Sequence, residues 1–176
     1  ILEPSAGDGA FVRGANLLNG SFCHDSRFTC VELDPKESAK CAASIRDGHI
    51  SGKVVNESFL AWAMNQKAEF DAFVGNPPFV RYQFVPTIER EAAEALFLKL
   101  GKELAGVSNL WIPFALVSFG LLKKGGAFSM VLPGELFSTS SAGIVRSEMI
   151  RHFDGLQVDL HPRGSFAKIL QDVIVV

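Results

Sequence analysis

The sequence has 176 residues, 48% hydrophobic and 20% charged, with 17 Lys+Arg against 19 Asp+Glu for a formal net charge of −2. Those values suit one domain with a sizeable core and exclude both an intrinsically disordered chain and a basic nucleic-acid arm. No apolar run reaches the roughly 18 residues of a membrane helix, the cysteines (Cys23, Cys30, Cys41) lack zinc-site spacing and the histidines (His24, His49, His152, His161) are scattered, so a reduced, cytoplasmic, metal-free protein is expected.

The chain opens on the apolar pair Ile1-Leu2, read as the tail of a strand that begins upstream, with the natural N-terminus outside the sequence. Glu3 to Phe11 (EPSAGDGAF) follows as a strand-to-helix turn. Gly7 and Gly9 let the backbone approach a ligand, with helix N–H groups facing it, as a nucleotide cofactor requires. Glu3 and Asp8 favour a cationic ligand group over a pyrophosphate. Gly14 is out of register for a third dinucleotide-binding glycine, which disfavours a nicotinamide enzyme.

The helix after this turn is predicted over Ala10 to Leu18, and the next strand over Phe28 to Glu32. Glu32 stands 23 residues after Gly9, where an acid can hydrogen-bond both ribose hydroxyls, with Asp34 as a substitute. Pro35 opens a helix to about Ile45, stopped before Gly48. A short strand at Lys53 to Asn56 precedes ESFLAW. There Phe59 can stack on a purine, and Ser58 or Glu57 can accept from its amino group; the competing reading makes Phe59, Leu60 and Trp62 core residues.

The strand Phe70 to Gly75 runs directly into Asn76-Pro77-Pro78-Phe79. Two prolines lock the backbone and remove two N–H donors while leaving rigid carbonyls. Asn76 and the Pro77 carbonyl become two fixed acceptors beside the ring of Phe79, an arrangement suited to a planar amine. Just beyond, Arg81 is the basic residue best placed to touch a phosphate.

Residues 86–106 read as a helix with Thr87 as cap and Gly106 as stop. A second helix is expected from Leu110 to Lys123, ending at Gly125-Gly126, with Pro113 tolerated in its first turn. A strand at Ala127 to Leu132, a helix at Ala142 to His152, a strand at Leu156 to Leu160 and a last strand at Val173 to Val176 complete the chain. Such alternation predicts an α/β fold: one open, mostly parallel twisted sheet with helices on both faces and ligands at the carboxyl ends of its strands.

Together, EPSAGDGAF, the acid in VELDP, SFL, NPPF and the segment NLWIPFALVSFGLLKKGGAFSMVLP resemble the adenine-specific DNA methyltransferases that use S-adenosylmethionine, in the γ order of motifs. The resemblance covers nearly all of residues 1–176 and implies a Rossmann-like class I methyltransferase domain. It implies that Glu3, Ala6, Gly7, Gly9 and Phe11 cradle the methionine part of the cofactor and Glu32 the ribose. Ser58 and Phe59 would flank the adenine, with Pro78 closing that pocket. Asn76 and Pro77 would bind the target amine, Phe79 would stack on a flipped base, and Phe166 would form a second wall. Ser58 departs from the Asp common at its place, which leaves the purine contact to Ser58 or Glu57. The implied partners are DNA, through a recognition region outside this chain, and a restriction or specificity subunit. Enzymes that methylate glutamine or RNA guanine amines share the Asn-Pro-Pro-aromatic turn, and a non-catalytic methyltransferase-like module of a restriction or defence complex is the alternative from another class.

Overall fold

Asp34 shows how directly the sequence writes one helix. In the computed structural model, which describes residues 1–18, 26–67, 69–99, 106–161 and 172–176, its carboxylate accepts the backbone N–H groups of Lys36 (2.7 Å) and Glu37 (3.2 Å). Pro35 at the first helical position needs no such partner, and the helix runs Pro35–Asp47 to a stop at Gly48.

The order of elements is β1 (Leu2–Pro4), α1 (Ala10–Leu17), β2 (Arg27–Val31), α2 (Pro35–Asp47), β3 (Ser51–Val55), α3 (Phe59–Ala63), β4 (Phe70–Gly75), α4 (Thr87–Lys99), α5 (Trp111–Leu121), β5 (Leu122–Pro133), α6 (Glu135–Ser138), α7 (Gly143–His152), β6 (Asp159–Leu160) and β7 (Val173–Val175). The strands form one sheet in the order β3-β2-β1-β4-β5-β7-β6. Pairings from β3 through β5 are parallel, and β7 runs antiparallel between β5 and β6. The order reverses between β1 and β4, so their carboxyl ends flank the crevice where such sheets bind ligands.

Strand alternation sends successive side chains to opposite faces. On β2, Phe28 and Cys30 join Val12 and Ala15 of α1 and Cys41 and Ile45 of α2 in one cluster. Val31 turns the other way, toward Leu2, Phe73 and the apolar faces of α3, α4, α5 and α7. Helix α5 is buried along nearly all of its length, and Pro113 falls in its first turn, where an N–H has no intrahelical partner.

Several boundaries differ from expectation, and three stand out. Helix α5 ends at Leu121, because Leu122 is already extended and pairs with Phe70. Lys123 therefore lies on β5 and pairs with Asp71 at 2.7 Å rather than at a helix end. Of the strand expected over Leu156 to Leu160, Asp159–Leu160 alone pairs with β7. Thr87 is the first residue of α4 rather than its cap, and the predicted continuation through 100–105 lies outside the described residues.

Candidate cofactor and substrate site

The turn after β1 is held by short backbone bonds. Ala6 N–H donates to the Val31 carbonyl (3.2 Å) and Gly9 N–H to the Ala6 carbonyl (2.9 Å). Ser5, Gly7 and Gly9 adopt left-handed backbone, with φ of 53°, 55° and 84°. A Cβ at Gly7 would meet no heavy atom of the protein within 4 Å, so within the chain this glycine answers to its left-handed conformation rather than to packing. A Cβ at Gly9 would lie 3.2 Å from Cys41 Cα and from Ser44 Cβ. The expected close approach at Gly9 is therefore to α2.

Glu32, directly after β2, spans the gap to this turn. Its Oε2 accepts the Gly7 N–H and its Oε1 the Asp34 N–H, both at 2.8 Å. Ser58, buried after β3, caps α3 by accepting the Ala61 N–H at 3.3 Å. Phe59 follows, its ring centroid 5.0 Å from that of Phe114.

A cavity of about 370 Å³ opens among these ends. Ser5, Glu32, Ser58, Phe59 and Pro78 line it together with Val80, Glu89, Leu110 and Phe114. Four of the residues expected to hold a cofactor (Glu32, Ser58, Phe59 and Pro78) thus share one cavity. Glu3, Ala6, Gly7, Gly9 and Phe11 do not line it. Ala6 and Gly9 are buried, and Gly7 touches the cavity's acid through its N–H. Glu57 is exposed and outside the cavity lining.

Glu3 is 1% exposed and points to the α1–α2 face, where the Cys30 thiol donates to its Oε2 at 3.6 Å. Burial pushes its carboxyl up to about 7, against the lowering effect of that thiol. The Cys30 thiol is itself pushed up by its hydrogen bond with Cys41 and by burial. Asp8 does not stand as a free charge, since Arg13 pairs with it at 2.8 Å.

The Asn76–Phe79 turn leaves β4 beside β1; a Cβ at Gly75 would lie 3.5 Å from Pro4 Cδ. Asn76 is exposed, Pro77 buried, and Pro78 and Phe79 half-buried. Beyond the turn the chain is clamped: Leu110 N–H donates to the Val80 carbonyl (2.8 Å) and Tyr82 N–H to the Ser108 carbonyl (2.9 Å), around an antiparallel bridge between Arg81 and Asn109. Exposed Arg81 lines a second cavity of about 480 Å³ with Tyr82, Asn109 and Glu135. Pro78 makes the Asn-Pro-Pro-Phe turn contiguous with the first cavity. Phe166 lies outside the described residues.

Sequence reading missed Glu89 and Phe114. Phe114 sits in a helix that is apolar but for Ser118 and is indistinguishable there from core. Glu89 carried a usable signal: it is in phase with the buried stripe Ala93, Leu96 and Phe97 of α4, whereas Glu91 and Glu94 are exposed. Its Oε1 is buried and has no hydrogen-bond partner. Among the described residues, no cluster of three His, Cys, Asp or Glu side chains could hold a metal, and no helix is long and apolar enough to cross a membrane.

A model of the Eco57I restriction-modification methylase family matches residues 27–157. The Type II methyltransferase M.HincII of Haemophilus influenzae is 27% identical over 173 residues, 97% of this chain and 28% of the relative. The Type II methyltransferase M.TthHB8I of Thermus thermophilus is 28% identical over 155 residues, 86% of this chain and 33% of the relative. The chain thus spans about a third or less of the length of these curated relatives. Among solved structures, a class I S-adenosylmethionine-dependent methyltransferase from Listeria monocytogenes superimposes with a TM-score of 0.73 at 18% identity, covering 99% of this chain and 51% of that one. The DrdV–DNA complex gives 0.73 at 15% identity, over 99% of this chain and 22% of that one.

The fold is that of class I methyltransferases dependent on S-adenosylmethionine. The residues around the first cavity fit its adenosine end: the carboxylate of Glu32 offers acceptors for hydroxyls, Phe59, Pro78 and Phe114 offer apolar walls for a purine, and Glu89 Oε1 is an acceptor in want of a donor.

Proposed function

The chain belongs to the Eco57I restriction-modification methylase family, and from that membership we propose that it transfers a methyl group from S-adenosylmethionine to the exocyclic 6-amino group of an adenine extruded from DNA. One observation carries the reading. Pro78 joins the Asn76–Phe79 turn to the cavity of Glu32, Ser58 and Phe59, so a group held by that turn lies beside the cofactor's place. The Type II methyltransferases among the relatives favour DNA as the acceptor.

The 6-amino group of adenine is a poor nucleophile, because its lone pair is delocalised into the ring. The Asn76 side-chain oxygen and the Pro77 carbonyl accept its two N–H bonds and favour a tetrahedral nitrogen over the conjugated planar one. Because the prolines fix the backbone, these dipoles need little reorganisation during reaction, and catalysis is positioning plus fixed electrostatics. When bound, S-adenosylmethionine would supply an electrophilic methyl group, its sulfur keeping the bonding pair as S-adenosylhomocysteine leaves, and the methylated amine would lose one N–H proton to water. A base inside a duplex cannot reach the turn, so it leaves the stack at a cost of roughly a few kcal/mol, partly offset by stacking on Phe79. Arg81, exposed three residues after Pro78, meets a backbone phosphate.

The test is methyl transfer by the intact protein from labelled S-adenosylmethionine to DNA, RNA and protein acceptors, with the DNA digested to nucleosides. Label recovered as N6-methyldeoxyadenosine is the expected result. Label on cytosine, or only on RNA or protein, would overturn the assignment.

A further inference from the structure

Glu89 enters neither the mechanism nor the capping of its own helix. It is 4% exposed, lines the cavity with Glu32, Ser58 and Phe59, and holds a carboxyl oxygen without a hydrogen-bond partner. A glutamate at the third position of a helix commonly folds back onto the N–H of the residue that precedes the helix. Here that residue is Pro86, which has no N–H to give. A carboxyl oxygen buried without a donor, in a cavity that Val85, Leu110 and Phe114 also line, is costly by itself. The N-terminal end of the 13-residue α4 offsets part of that cost, and the oxygen is left open to a donor from a ligand.

The two residues that could otherwise accept from a purine amine are poorly placed. Glu57 is exposed and does not line the cavity. Ser58 lines the cavity but its oxygen already accepts the Ala61 N–H, and a neutral hydroxyl is a weaker acceptor than a carboxylate. An ionised carboxyl group is acceptor-only, and the edge of adenine presents a 6-amino donor to it. We propose that Glu89 binds the 6-amino group of the cofactor's adenine and so sets the cavity's preference for adenosine over other nucleosides. The inference rests on the assignment of this cavity to the adenosine end of S-adenosylmethionine.

The test is calorimetric binding to the intact protein of S-adenosylhomocysteine and of its analogue with hydrogen in place of the 6-amino group. Wild type is expected to prefer the amino compound by about tenfold or more, the range of a hydrogen bond to a charged group. Glu89→Ala is expected to bind both compounds alike. Glu89→Gln keeps the shape but offers a neutral acceptor, and lowers the preference severalfold. Glu32→Ala weakens both compounds and leaves their ratio unchanged. A wild type that does not distinguish the two, or a ratio untouched by either Glu89 variant, overturns the role of Glu89. Unaltered binding in Glu32→Ala instead overturns the assignment of the cavity.

Discussion

Glu32 accepts the backbone N–H of Gly7 at 2.8 Å, joining the end of β2 to the turn that leaves β1. Its other oxygen accepts the Asp34 N–H at the same distance. One half-buried carboxylate therefore fixes the glycine turn, the start of α2 and one wall of the cavity. Glu32→Ala removes an acceptor from two backbone donors and, under the proposed assignment of the cavity, from a ribose as well. We expect S-adenosylhomocysteine to bind at least about tenfold more weakly, consistent with loss of a charge-assisted bond. Calorimetry checks this, and wild-type affinity would contradict it.

Gly9 tests the packing reading of the first turn. Its φ is 84°, and a Cβ there would lie 3.2 Å from Cys41 Cα. Gly9→Ala combines left-handed strain, about 1–2 kcal/mol, with a clash against a backbone atom of α2. Urea denaturation should show a loss of at least that size; wild-type stability would mean that the turn yields.

Glu3 predicts a pH dependence. Its carboxyl is raised from 4.5 to about 7 in the folded chain, chiefly by burial. Between those values the folded state holds the proton more tightly than the unfolded state does, so the contribution is fully present below the lower value and is lost as pH rises through the upper one. Stability should fall by roughly 3 kcal/mol across that window from this group. Glu3→Gln, a neutral isostere that keeps an acceptor for the Cys30 thiol, should flatten the slope. Denaturation midpoints measured from pH 4 to 8 decide it, and an equally steep variant would sink the explanation.

The sheet was legible because its signals are local. Asp34 with Pro35, the apolar run before Asn76 and the stop at Gly48 each act within one or two turns of chain. The cavity residues Glu32, Ser58, Phe59 and Pro78 were legible because each lies within about four residues after a strand's carboxyl end, where a parallel sheet binds its ligands. Phe114 was not, since it reaches the cavity from a helix buried on nearly every side, and the phase of Glu89 marked it as buried without marking what it faces. The α5–β5 boundary was misplaced for a related reason. Gly125-Gly126 looks like a helix stop, but pairing of Leu122 with Phe70 ends the helix earlier.

Phe79 is half-buried and packs against the larger core cluster, so its ring has a structural as well as a proposed stacking task. Phe79→Ala should raise KM for DNA and also lower stability by about 1–3 kcal/mol, as expected for a partly buried ring. Phe79→Trp should retain most activity. Equal activity of the Ala and Trp variants, with both folded, would show that stacking is the wrong account.

Asn76 offers the most direct test. It is exposed at the carboxyl end of β4 and does not line the cavity of Glu32, Ser58 and Phe59, so its removal should disturb neither folding nor cofactor binding. The measurement pairs single-turnover methyl transfer to DNA with calorimetric binding of S-adenosylhomocysteine for Asn76→Ala. We predict loss of transfer by at least about a hundredfold, the scale of one lost fixed dipole at a reacting centre, with binding near that of wild type. Retained transfer, or a parallel loss of cofactor binding, would contradict the grip of Asn76 and Pro77 on the target amine.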